Sequence, residues 1–479
     1  MLGRQSRQPN FFDSEIFSRM VPPDHPLTQI KEQVDFSFVA EEAARCYHPD
    51  MGRRSFPPEV LFRTLFLEVW ANLSDVQVSR DLRYNVLYRW FCGIGWDDEV
   101  PDDTTLVVFR RRLGAEVFGR LFARVVEQAK EKGLLKGKWA VIDGTKVVAH
   151  AAVKNNVALA REGRKKLLKI LEEHDADLAR ELSPLGEPER DDDYPDHDAL
   201  LAAEALKGQE LISKLEERQE KDLVEFRELY RKVVQFEGIA SLSDPDARWG
   251  FKKKDEPFLG YKAHVACDAT GMATAVRVTP GNESELPQAL PMVEELEERG
   301  MKPLCFAADK GYDDSGLRAT LARDGIRAYI PSRQDLKRLE EEGFRYDAEQ
   351  GTLTCACGKR AIGAFPHKQG GLVYYFSEHD CKGCGLKGEC LGKSGTRKRV
   401  YVKPEALLNR PRGLKAAMRI RKSVERLFGD VKVWHGMRRA RYRGLGRVTV
   451  QVLMTLIVAN AKKMAKLLAA KGVPSPNTA

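Results

Sequence analysis

Three carboxylates stand at positions where they could hold metal ions. Asp143 follows the apolar run "KWAVI", Asp309 follows "CFAA", and Glu425 lies in the predicted helix "RKSVERLFGDVKVW". The ends of strands are where α/β sheets commonly build their sites. Three carboxylates brought together can bind two hard divalent cations, which activate an attacking oxygen and stabilise the leaving oxygen of a phosphodiester. Taken singly, an Asp after a strand is more often a turn or cap residue.

The cations around Glu425 favour the chemical interpretation. Arg421 lies four residues before Glu425 and Lys432 seven residues after it, so all three share one face of the predicted helix. Carboxylates that bind metal, beside cations that bind phosphate, are the groups expected for phosphoryl transfer. A simple Arg421–Glu425 ion pair on a solvated face is the alternative, but it does not account for Lys432.

The elements that must position these residues predict an α/β protein with a mixed sheet flanked by helices. Apolar periodicity is helical in the N-terminal part, strand-like around residues 138–148 and 258–279, and alternating between helix and strand up to "IRAYIP". A long charged stretch over 198–235 predicts a helical hairpin or coiled-coil-like arm. The predicted segments are a helical DNA-binding domain (15–135), the first part of the catalytic core (136–157), a charged helical insertion (158–237), the continuation of the core (238–331), a cysteine-rich insertion (332–410), and the Glu425 helix with the C-terminal helices (411–470).

Further residues are candidates for contact with DNA. Arg110 and Arg111 lie in the predicted helix of "DDTTLVVFRRRLG", which is compatible with a DNA-binding bundle, although a plain helical domain is the simpler interpretation. On the strand "YKAHVA", alternation places Lys262 and His264 on one face, where they are either packed or directed to DNA. Trp434 could stack on a flipped base, but a core position is the favoured interpretation.

Composition and charge limit the class of protein. The 479 residues correspond to about three domains at roughly 150 residues each. With 43% hydrophobic and 31% charged residues the composition is that of a globular protein, and no run of about 18 apolar residues predicts a membrane span. The N-terminal "MLGRQSRQPNFF" has no apolar signal core, so we expect a reducing cytoplasm of bacterial type.

The net charge of +9 conceals a strong gradient along the chain. Residues 171–200 contain 12 acidic and 2 basic side chains, whereas residues 391–450 contain 18 basic and 3 acidic ones. A local positive field of this size favours a polyanionic partner such as DNA. A solvated basic face is the alternative.

Clustered cysteines predict a structural zinc site. Five of the nine cysteines fall between Cys355 and Cys390, and Cys381 and Cys384 form a C-x-x-C pair. Disulfides are not expected in a long chain without a signal peptide, whereas thiolate-rich sites bind Zn²⁺ tetrahedrally. Five thiols compete for four places, and a reduced cluster without metal is the alternative. The side chains that could substitute are Cys357, His367 and His379.

The ordered series of motifs resembles the DDE transposases of bacterial insertion sequences over roughly residues 15–460. The motifs that carry the resemblance are "GRRSFPPEVLFRTLFLEVW", "PDDTTLVVFRRRL", "VIDGTKV", "GYKAHVACDATG", "RVTPGNESE", "AADKGYD" and "RKSVERLFGDVK". Arg421, Glu425 and Lys432 match the family's Tyr–Arg–Glu–Lys signature, whereas Met418 stands at the Tyr position.

The resemblance implies a fold, a catalytic set and cofactors. It implies an RNase H-like core, with Asp143, Asp309 and Glu425 as the catalytic triad and Mg²⁺ or Mn²⁺ as the working ion. Similar transposases carry a cysteine-rich insert with one upstream cysteine, which favours Cys355, Cys381, Cys384 and Cys390 as the Zn²⁺ ligands.

The sequence therefore predicts a transposase that binds the ends of its element, cuts DNA by metal-assisted hydrolysis and joins the 3′-hydroxyl to target DNA. Its partner would be double-stranded DNA at the nucleoid, and two ends to be joined imply at least a homodimer on DNA. Two alternatives stay open: an inactive or domesticated DNA-binding protein with a transposase fold, and a nuclease that does not join strands.

Overall fold

The N-terminal part of the chain is helical, as predicted. In this computed structural model the described residues are 1–3, 11–251, 255–332, 336–347, 349–367, 371–391, 395–402 and 412–471. Ser74 begins the fifth helix with a reciprocal capping box to Gln77, and Gly114 breaks the seventh with a φ of 65°. The helices are α1 (Phe11–Met20), α2 (Pro26–Gln33), α3 (Phe38–Ala44), α4 (Pro58–Trp70), α5 (Asp75–Tyr84), α6 (Val86–Cys92) and α7 (Asp103–Glu131).

A six-stranded mixed sheet follows. The third strand pairs antiparallel with the first, second and fourth, while the first, fifth and sixth are parallel to one another. This agrees with the predicted mixed α/β sheet. The strands are β1 (Trp139–Val148), β2 (Arg248–Phe251), β3 (Pro257–Cys267), β4 (Ala273–Pro280), β5 (Cys305–Ala307) and β6 (Arg327–Tyr329).

Helices cover the sheet and join it to the N-terminal region. The side chain of Asn460 exchanges hydrogen bonds of 2.9 and 2.8 Å with the backbone N–H and carbonyl of Ala273, which fastens the last helix to β4. One hydrophobic core runs from the N-terminal helices through the sheet to this helix. The helices are α12 (Ala289–Glu298), α13 (Ser315–Arg323), α17 (Leu414–Trp434) and α18 (Leu445–Ala470).

The charged insertion is helical, and the stretch predicted as a helical hairpin or coiled-coil-like arm forms two helices that pack against each other and against the two helices before them. Its helices share a hydrophobic core of their own, and Arg164 and Glu204 pair inside it with both side chains 0% exposed. Sequence periodicity could not show this packing. In the sequence, a charged residue that is paired inside a cluster of helices gives the same pattern as a charged residue on a solvated face. The helices are α8 (Asn156–His174), α9 (Ala176–Gly186), α10 (His197–Lys214) and α11 (Lys221–Val234).

The cysteine-bearing segment consists of short elements around a third, small hydrophobic cluster. β7 and β8 form a hairpin-like pair, and β9, β10 and β11 form a three-stranded antiparallel sheet. The elements are α14 (Leu336–Glu341), β7 (Arg345–Asp347), β8 (Thr352–Thr354), β9 (Gly363–Pro366), β10 (Leu372–Tyr375), α15 (Glu378–Lys382), α16 (Lys387–Leu391) and β11 (Arg399–Val402).

In the described parts of the chain, no helix combines the length and apolar character needed to cross a membrane.

Candidate active site

Asp143 and Asp309 lie at the same level of two neighbouring parallel strands. Val141 of β1 pairs with Ala307 of β5, and each aspartate follows its paired residue by two positions. The Asp143 carboxylate accepts a 2.9 Å hydrogen bond from the Gly144 N–H. Asp309 caps a short 3₁₀ turn and accepts a 2.7 Å bond from the Gly311 N–H. Asp309 therefore plays the turn-forming role that strand-end aspartates often play, whereas Asp143 lies within β1, which continues to Val148.

Arg421 joins the third carboxylate to the first. Its guanidinium donates a 2.9 Å hydrogen bond to Oδ2 of Asp143 and a second, short bond to Oε1 of Glu425 one turn along α17. α17 packs directly on β1, so the sheet and the helix meet at this arginine. The Arg421–Glu425 ion pair considered in the sequence analysis is present, but Arg421 also bonds to Asp143 on the sheet.

The environment of Asp143 works against its negative charge. The pKa of Asp143 is raised to about 6, and burial is the largest cause. The Asp309 carboxylate also raises this pKa, whereas Arg421 and the Gly144 N–H lower it. A carboxylate held in a partly desolvated site beside another carboxylate is stabilised by any cation that enters.

Two residues at this site were not among the candidates drawn from the sequence. The Glu285 carboxyl group packs against the backbone of Gly144, and Tyr312, which is 0% exposed, has a hydroxyl with no hydrogen-bond partner among the described residues. Burial followed by repulsion from Asp143 raises the pKa of Glu285. Both residues lie in the motifs "RVTPGNESE" and "AADKGYD", but their position three or more residues beyond a strand gave no sign of where they would point.

The predicted DNA contact at Arg110 is wrong. Arg110 is buried and donates bonds of 2.6 and 2.7 Å to Asp75 and one of 3.0 Å to Glu68. It therefore ties α7 to α4 and α5, because the guanidinium is buried and pairs with two carboxylates inside the fold. Arg111, the next residue, lies on the exposed side of α7 and stays a candidate.

The two candidate residues on β3, His264 and Lys262, also differ in burial. His264 is 0% exposed, with Nε2 placed 2.9 Å from Oγ1 of Thr279, so its predicted contact with DNA is wrong. Lys262 is half-buried, and its Nζ donates a 2.9 Å bond to the Glu283 carbonyl. Almost every residue of β3 is buried, so both faces of the strand are covered, and the alternating pattern could not show this.

The end of α17 is more open than expected. Lys432 is half-exposed on the helix that carries Arg421 and Glu425, and Trp434 is 62% exposed. The favoured core position of Trp434 is therefore wrong, since the helix ends there and its last turn projects beyond the sheet. Met418, at the position of the family's tyrosine, packs against the main core.

The cysteines do not form the expected set. Cys355, Cys381 and Cys390 pack against the small hydrophobic cluster, whereas Cys384 lies 2.8 Å from the sulfur of Cys357. Within the described ranges no three or more His, Cys, Asp or Glu side chains are gathered closely enough to hold a metal ion. The predicted Zn²⁺ site is thus not supported, because the thiol that completes the nearest pair is Cys357 and the other three serve as apolar packing. His367 lies against the Tyr401 ring, and its centroid is 4.8 Å away.

Two protein-family models match this chain. Residues 15–112 match a transposase domain (DUF772), and residues 231–461 match the transposase DDE domain. The second match contains Asp309 and Glu425, and it begins after β1, so Asp143 joins it through the sheet and the Arg421 bridge. The two matched ranges together cover more than two thirds of the chain. The chain belongs to the DDE transposases of the insertion-sequence type.

Proposed function

We propose that this transposase binds the ends of its insertion sequence, cleaves DNA by metal-assisted hydrolysis and joins the freed 3′-hydroxyl to target DNA. The observation that supports the proposal is the placement of Asp143 on β1 and of Asp309 just after the neighbouring strand β5, with Glu425 linked to Asp143 through Arg421. Oxygen ligands carrying net negative charge are what Mg²⁺ and Mn²⁺ take in proteins.

Asp143, Asp309 and Glu425 are the residues that would hold the divalent cations, although the described residues, with Arg421 between Asp143 and Glu425, do not gather three such side chains closely enough for a metal ion. Bound there, the cations supply charge stabilisation to the attacking and leaving oxygens of a phosphodiester. Arg421 spans two of these carboxylates in the protein alone, and its fork geometry suits a phosphate group equally well. The arginine can therefore bind the DNA backbone when cations take over the neutralisation of the carboxylates.

Other cations extend the surface available to DNA. Lys432 lies on the same helix as Glu425, and Arg111 is exposed on α7. Lys262 lies on β3, the strand paired with β1 at the Asp143 position. We propose that these side chains contact phosphates of double-stranded DNA, with a homodimer or larger assembly holding two ends.

The decisive experiment uses DNA that carries the flanks of this protein's own gene. Purified protein is incubated with end-labelled flanking duplex, a target duplex and Mg²⁺ or Mn²⁺, and products are separated on denaturing gels. Nicks at the element ends followed by joined products support transposition. Nicks without joining indicate a nuclease, and end binding without nicks indicates a non-catalytic DNA-binding protein.

A further inference from the structure

The loop between α17 and α18 is fixed to the end of β1, the strand that carries Asp143. The Val148 N–H donates a 3.0 Å hydrogen bond to the Arg438 carbonyl, and the Ala440 N–H donates a 2.7 Å bond to the Val148 carbonyl. The two bonds form a parallel bridge between Val148 and Arg439. Because Val148 lies five residues beyond Asp143 on β1, the bridge is about 16 Å from Asp143 along the strand, at roughly 3.3 Å per residue.

Hydrogen bonds from α18 hold the backbone of this loop, which we name the arginine loop (residues 435–447). Nε2 of Gln451 donates bonds of 3.0 and 3.4 Å to the carbonyls of Arg439 and Gly436. Oε1 of the same side chain accepts a 2.7 Å bond from the Arg441 N–H. A backbone that is already held in this way loses little conformational freedom when a ligand binds.

The Arg441 guanidinium is used inside the protein. It donates a 2.9 Å hydrogen bond to Oε1 of Glu68 and a 2.6 Å bond to the Leu73 carbonyl. A further 2.6 Å bond goes to Oδ1 of Asn72. These partners belong to α4 and to the turn that follows it, so the arginine loop is tied to the N-terminal helices as well as to β1.

Four other arginines of the arginine loop are exposed. In the part of the chain that the structure describes, none of the four forms an ion pair with a carboxylate. Nε of Arg443 donates a 3.2 Å bond to the carbonyl of His150, an uncharged group just after β1. Four positive charges within ten residues, not neutralised by the described residues, favour a polyanionic ligand. The four residues are Arg438, Arg439, Arg443 and Arg447.

We propose that the arginine loop binds the phosphate backbone of the element-end duplex, to one side of the phosphodiester that is cleaved. The inference rests on the proposed function, which brings that duplex to Asp143. A planar guanidinium can donate two parallel hydrogen bonds to one phosphate, and the arginine loop presents such groups on a fixed backbone. The distance of about 16 Å corresponds to about five base pairs of duplex at roughly 3.4 Å each.

The test measures how salt affects binding to a labelled duplex from the flank of the gene, by fluorescence anisotropy in Ca²⁺. Arg439→Gln/Arg443→Gln should lower the slope of log K against log salt by about two, at about 0.9 per lost phosphate contact. Hydroxyl-radical footprinting should show protection lost about five base pairs from the nick. The control, Arg180→Gln/Arg323→Gln, removes the same charge from side chains that are 77% and 74% exposed elsewhere, and should leave the slope unchanged.

Arg439→Lys/Arg443→Lys separates phosphate binding from a structural role. Because lysine keeps the charge, this variant should have the wild-type slope. A slope as low as in the glutamine variant would mean that the two arginines only shape the loop, which overturns the inference.

The remaining outcomes distinguish the inference from the proposed function. A wild-type slope in the glutamine variant overturns the inference and leaves the proposed function standing, provided that the wild type binds and nicks the flanking duplex. A slope lowered only with the target duplex also overturns the inference, because the arginine loop would then hold the other DNA. A wild type that neither binds nor nicks the flanking duplex overturns the proposed function and the inference with it.

Discussion

Two arginine–carboxylate clusters in this molecule use the same residue types for opposite purposes. In the helical insertion, Arg164 and Glu204 are both 0% exposed. In the candidate active site, Arg421 is 19% exposed, and its partners Asp143 and Glu425 are 17% and 47% exposed. The first cluster is sealed among helices, whereas the second opens to solvent on the side of Glu425.

This difference determines what each cluster can do. A sealed pair cannot exchange partners, and removing one member leaves an uncompensated charge in the core. In the partly open cluster solvent reaches Glu425, so a cation can enter beside Arg421. Burial, rather than the presence of an ion pair, therefore separates a structural cluster from a site that binds ligands.

The largest expected effect on stability comes from the sealed pair. Glu204→Gln should lower the free energy of unfolding of the insertion by about 3–5 kcal/mol, because Arg164 would stay buried without its carboxylate. Protection of α8–α11 against hydrogen exchange measures this change. Glu228→Gln is the control, because Glu228 is 52% exposed and pairs on the surface with Arg231. A loss no greater than in the control would show that the sealed pair is not structural.

A smaller, pH-dependent effect is expected from His264. Burial, assisted by Lys262 and Arg277, lowers the pKa of His264 to about 4 from 6.5. Because the unfolded chain takes up this proton first, stability is lost as pH falls from about 6.5 through 4, by about 3 kcal/mol at pH 4. Chemical denaturation of the wild type and His264→Gln across this range measures the difference. Parallel pH profiles in the two proteins would mean that His264 becomes charged without cost.

The smallest expected effect concerns DNA affinity at the open cluster. Arg421→Ala or Lys432→Ala should reduce the slope of log K against log salt by about one for each lost phosphate contact. Fluorescence anisotropy with end DNA at several salt concentrations measures the slope. Arg180→Ala is the control, since Arg180 is 77% exposed on the insertion and pairs only with Asp177 among the partners that the structure shows. Unchanged slopes for both variants would assign Arg421 and Lys432 to ion pairing alone.

Sequence reasoning located most of the elements, because periodicity is a local property. It also singled out Asp143, Asp309 and Glu425, whose catalytic role stays a prediction, but it placed Asp143 at the end of a strand that in fact continues to Val148. It failed where the outcome depends on which face is covered. In "FRRRL" the pattern could not tell buried Arg110 from exposed Arg111.

Long-range packing explains the remaining differences. Glu285 reaches the site only because the loop after β4 folds back across β3 onto Gly144. Cys355 and Cys384 are separated because one packs in a hydrophobic cluster and the other meets Cys357. Spacing along the chain carries no information about either arrangement, since both depend on tertiary contacts between distant segments.

The central claim is that Asp309 holds a catalytic cation and does not bind DNA. The most direct measurement compares wild type and Asp309→Asn on the same labelled end duplex, with binding followed in Ca²⁺ and cleavage in Mg²⁺. We expect Asp309→Asn to bind the duplex with wild-type affinity and to produce no detectable nick, because the substitution removes a proposed cation ligand while leaving the proposed phosphate-binding side chains in place. Cleavage by Asp309→Asn at the wild-type rate would contradict it.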